Sequence, residues 1–102
     1  MLKKLAFCTL CLIAQPALSE TYVEGTVTQL SVGTTYARVQ LDQMVSAEGC
    51  ANYTWYLLPF PPGEGKEMYA AVLTAKTSGQ RVKLQLTGCS SGYPSIAHVY
   101  LL

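Results

Sequence analysis

Charged residues are scarce in this chain. Asp, Glu, Lys and Arg supply 13% of its 102 residues, His98 is the single histidine and Asp42 the single aspartate. So small a titratable set excludes most of the chemistry that depends on one. No His/Asp/Glu cluster has the spacing of a metal site. No glycine-rich loop runs into a helix in the phosphate-binding pattern. A serine, His98 and Asp42 form a catalytic triad only on paper, because no nucleophile elbow or comparable motif frames a serine. The chain reads as a binding protein and not an enzyme, with no metal and no cofactor.

Long apolar runs are also missing, apart from one near the start. Lys3 and Lys4 precede an uncharged stretch, Leu5–Ala14, which Gln15 and Pro16 end. Ala17-Leu18-Ser19 then places small residues at the −3 and −1 positions of a cleavage site before Glu20. A membrane-spanning helix needs about 20 apolar residues, and this run is half that. Charge, short apolar run and small-residue site in that order predict a cleavable secretory signal peptide of bacterial type over residues 1–19. Residues 20–102 are then one small domain, secreted or periplasmic, with no membrane span.

That domain has five basic residues (Arg38, Lys66, Lys76, Arg81, Lys83) against six acidic ones (Glu20, Glu24, Asp42, Glu48, Glu64, Glu67), a formal charge of −1. A nucleic-acid binder needs a basic footprint, and none is present. Of the four cysteines, Cys8 and Cys11 leave with the signal peptide. Cys50 and Cys89 remain, an even pair bound for an oxidising compartment, without CxxC spacing or a histidine partner. They are expected to form a disulfide. Closing a loop of about 40 residues contributes roughly 4 kcal/mol on the chain-entropy account. A domain of this size has only about 4–12 kcal/mol in total.

The pattern after residue 20 is of strands around one helix. Tyr22–Val32 is rich in Thr and Val, with Gly25 a candidate bulge. Thr35–Leu41 alternates, placing Ala37, Val39 and Leu41 on one face and Tyr36, Arg38 and Gln40 on the other. A polar loop over Asp42–Ala51 leads to Tyr53–Leu58 (YTWYLL), apolar on both faces as in a central strand, and the prolines after it end the ladder. Over Glu64–Ser78 the period changes. Met68, Ala71, Val72 and Ala75 share one helical face, Glu64 and Glu67 lie near the positive end, and Gly79 is a natural stop. Arg81–Leu86 alternates again, a Gly/Ser loop over Thr87–Ser95 carries Cys89, and Ile96–Leu102 is a last strand. Five strands with a helix between the third and fourth is the order of the OB-fold, a five-stranded Greek-key barrel. An open α+β sheet with one helix packed on it has the same order.

Gly49-Cys50, the strand YTWYLL, the helix KEMYAAVLTAKTSGQ, the strand RVKLQLTGC and the ending GYPSIAHVYLL resemble small exported bacterial proteins related to the binding subunit of subtilase cytotoxin. The likeness covers roughly residues 21–102. It implies an OB-fold with a disulfide and, for the toxin subunit, a ring of five copies that binds sialylated glycans. Its motifs belong to architecture, and no sugar-contacting residue maps onto a position here. Many relatives look free-standing, with no toxin partner implied.

Aromatic side chains are the feature left over. Tyrosine and tryptophan stack on the apolar face of a sugar, and they also fill cores and interfaces. Tyr36, on the polar face of its strand, and Trp55 are the candidate ligand contacts; His98 reads as a surface or interface residue. Asn52-Tyr53-Thr54 matches the N-glycosylation pattern, against which the bacterial signal peptide argues. Two functions follow: a glycan-binding module, for which the resemblance implies a ring of five copies, or a secreted or periplasmic protein-interaction factor with no sugar ligand.

Overall fold

A computed structural model describes residues 20–102; the signal peptide expected over 1–19 lies outside the described residues. The five strands are β1 (Thr21–Val32), β2 (Tyr36–Leu41), β3 (Tyr56–Pro59), β4 (Arg81–Ser90) and β5 (Tyr93–Leu101), and the helix α1 (Gly65–Ser78) falls between β3 and β4. They close in the order β1-β2-β3-β5-β4, with β4 returning to β1. Closure decides against the open sheet. β1 makes it possible because it is long: its first half pairs with β4 and its second half with β2. β3 runs parallel to β5, and all other pairs are antiparallel.

Alternation does the sorting that the sequence implied. Ala37, Val39 and Leu41 of β2 and Val82, Leu84 and Leu86 of β4 point inward and are buried. Tyr56 and Leu58 of β3 join them, and α1 contributes Val72 and Ala75. At about 25 cal/mol per Å2 of apolar surface, such burial is the main force closing the barrel. The helix stops where Gly79 enters the left-handed region at φ 75°, its N–H donating to the Ala75 carbonyl.

Four local expectations are corrected. Gly25 pairs regularly with Val82, and the β1 bulge falls between Val27 and Gln29. Gly25 is needed for another reason: a side chain there would collide with the Asp42 carboxylate, which accepts the Thr26 N–H at 3.0 Å. β3 begins at Tyr56, so Tyr53, Thr54 and Trp55 lead into the strand instead of forming it. Asn52 holds that lead-in as a turn, its side-chain oxygen accepting the Thr54 N–H and hydroxyl at 3.1 and 3.0 Å. The loop expected over Thr87–Ser95 shrinks to Ser91-Gly92, with Ser91 at φ 52° and Gly92 at φ 86°. Cys89 thus lies within β4, and its disulfide to Cys50 joins a strand to a loop.

Candidate functional site

β5 carries an irregularity that fixes what the barrel shows to solvent. Leu86 pairs with Ile96, but the neighbouring Gln85 pairs with His98, so Ala97 is an extra residue. In a regular strand His98 and Tyr100 would share the inward face of Ile96. The bulge reverses the alternation from that point, as bulges do. Val99 turns in to pack against the core, while His98 and Tyr100 turn out.

They meet two side chains from neighbouring strands. Tyr100 is opposite Lys83 of β4, and Lys83 is opposite Glu24 of β1, two residue pairs along from Tyr22 and Gln85. The His98 and Tyr100 rings lie 4.5 Å apart between centroids, and Tyr22 and Tyr100 lie 6.4 Å apart. The Lys83 ammonium sits 4.9 Å from the Tyr100 centroid and 5.6 Å from that of Tyr22, within cation–π range of both. Tyr22 is 48% exposed and Tyr100 37%. Desolvation, and then the Glu20 carboxylate and Tyr100, raise the Tyr22 phenol above its ordinary pKa. At the edge of the cluster Arg81 and Glu24 form an ion pair at 3.6 Å. The wall is thus a set of exposed rings around a cation, with carboxylates at its rim.

The sequence-derived candidates stand elsewhere. Tyr36 is 40% exposed at the start of β2. Trp55 is half-buried before β3, with the Arg38 guanidinium 4.8 Å above its ring. Tyr36 lies opposite Pro59, and Arg38 opposite Leu57, so Arg38 separates the two candidates along the sheet. The fold does not bring Tyr36 and Trp55 into one cluster. It gathers Tyr22, His98 and Tyr100 instead, residues brought together by cross-strand register and an unforeseen bulge. A shallow cavity of about 400 Å3 lies at one end of the barrel, among Thr34, Thr35, Phe60, Pro61, Lys66 and Glu67.

No protein-family model, curated protein or solved structure matches the chain.

Proposed function

We propose that this chain is an exported binding module whose OB-type barrel takes a carbohydrate on the outer wall of β1, β4 and β5. The observation that carries the reading is the exposed Tyr22–Tyr100–His98 group around Lys83. Rings of this kind offer flat apolar faces to the C–H face of a sugar, while phenol, imidazole and ammonium groups supply hydrogen bonds at the edges. The resemblance to toxin binding subunits points the same way and adds a ring of five copies to the proposal.

A broad glycan array, probed with protein recovered after export of the full chain, tests the binding. Retention on a sugar that falls at least about tenfold in Tyr100→Ala, a change of about 1.4 kcal/mol, supports it. No retention on any sugar overturns it, as does retention indifferent to Tyr22→Ala and Tyr100→Ala together. The sedimentation mass of the same protein tests the five-membered ring.

A further inference from the structure

On the opposite wall of the barrel one charge has no partner among the described residues. In the closed order β1-β2-β3-β5-β4, the β4 strand faces the β2–β3 pair across the interior. The outer side of that pair carries Tyr36, Arg38 and Gln40 on β2 and Leu57 and Pro59 on β3, with Trp55 just before it. Arg38 is the one charged side chain among them. Its register neighbours, Ser31 on β1 and Leu57 on β3, are uncharged. Among the described residues the one ion pair is Arg81–Glu24, and no hydrogen-bond acceptor engages the Arg38 guanidinium. A half-buried arginine whose guanidinium lies 4.8 Å over an indole ring has lost part of its hydration and keeps N–H donors for a planar, two-oxygen acceptor.

The surroundings narrow what that acceptor belongs to. A sugar needs several open polar groups, yet here they are engaged with one another. The Gln40 amide donates to the Thr54 carbonyl at 2.8 Å, the Thr54 hydroxyl bonds Asn52, and the Ser95 hydroxyl bonds Ser90 at 3.1 Å. A nucleic acid needs several cations, and this wall has one. What remains is apolar. Leu57 is 5% exposed yet stands outside the barrel's core cluster, and it is flanked by Pro59, Trp55 and the exposed Tyr36. Trp, Tyr and Arg beside buried apolar area is the composition of a protein-binding hot spot.

We propose that the β2–β3 wall docks an acidic segment of a partner protein, with an Asp or Glu carboxylate of that segment on Arg38 and apolar residues beside it on Tyr36 and Trp55, for which the buried Leu57 is the floor. This goes beyond the carbohydrate reading and does not rest on it, since the two walls share no residue.

Selection of a phage-displayed random dodecapeptide library on the exported, oxidised protein, in parallel on Arg38→Gln, tests it. Wild type is expected to enrich peptides with an Asp or Glu flanked by apolar residues, and Arg38→Gln is not. Trp55 is the only tryptophan of the chain, so binding of a selected peptide reads out as a saturable change in its fluorescence. That change should weaken at least about tenfold for the peptide's Asn or Gln counterpart, and it should fall with salt. Arg38→Lys, which keeps the charge and loses the fork, should also weaken it, and Tyr100→Ala should leave it unchanged. No acidic enrichment, or the same peptides from Arg38→Gln, overturns the proposal. So does a Trp55 response to sialyllactose but to no selected peptide. Loss of glycan retention in Tyr100→Ala bears only on the other wall, so the two readings fail separately.

Discussion

The Glu48 carboxylate accepts the Gly88 backbone N–H at 3.0 Å with one oxygen and the Thr21 hydroxyl with the other. One side chain therefore ties the β2–β3 loop to the first residue of β1 and to the irregular stretch of β4. The Thr21 bond, and then the Gly88 bond, lower the Glu48 pKa. A carboxyl with a depressed folded-state pKa stabilises above its unfolded pKa, and that contribution is lost as pH falls through the folded value. Wild type should therefore lose stability below the ordinary glutamate value of 4.5. Glu48→Gln should be less stable at neutral pH and show a flatter loss below it. Thermal melts of both proteins from neutral pH down to about pH 3 check the sign. Parallel curves would show that Glu48 does not contribute this way.

The Cys50–Cys89 bond closes a sequence separation of 39 residues. Replacing both cysteines by alanine should cost about 4 kcal/mol on the chain-entropy account. Urea unfolding of oxidised wild type and the double variant measures it. A difference under about 1 kcal/mol would mean that the open chain is already constrained near the closed geometry.

Tyr56 is fully buried and clamps one residue of the loop before it. Its hydroxyl donates to the Val45 carbonyl and accepts the Val45 N–H, both at 3.0 Å. Burial raises its pKa, and the Val45 bond partly opposes that rise. Tyr56→Phe leaves both backbone groups without this partner and should cost about 1–3 kcal/mol. Tyr53→Phe, at an exposed ring, should change stability by less than about 0.5 kcal/mol in the same denaturant titration.

Gly65 opens α1 against the backbone of Pro59 and Phe60, where a methyl group has no room. Gly65→Ala should destabilise by about 1–3 kcal/mol or more, because the clash is with main chain that cannot rotate away. Gly63 has nothing within 4 Å of the same position, so Gly63→Ala is the control. Equal melting temperatures for the two variants would show that the helix start shifts to absorb the methyl.

The strands and the helix were largely legible because their signals are local. Val82, Leu84 and Leu86 declare a half-buried strand by alternation alone, and Val72 and Ala75 declare a helix by spacing. Tyr53–Trp55 misled because aromatic residues suit strands, and the sequence does not show the Asn52 turn that holds them out of the ladder. The exposed ring cluster was illegible for a stronger reason. Strict alternation from Ile96 sends Tyr100 into the core, and only the extra residue at Ala97 turns it out towards Lys83 and Tyr22.

The sequence by itself determined the number and order of elements, the inward faces of β2 and β4, and the pairing of Cys50 with Cys89. These rest on periodicity and on a count of thiols, which need no knowledge of what lies across the sheet. Tertiary structure alone decided that the sheet closes, which side chains share a wall, and that the two cation-bearing aromatic walls lie on opposite sides. Register, bulges and closure depend on the fit between distant segments. Few charges are present in this protein, and the fold determines where two of them meet aromatic rings: Lys83 between Tyr22 and Tyr100, and Arg38 on Trp55.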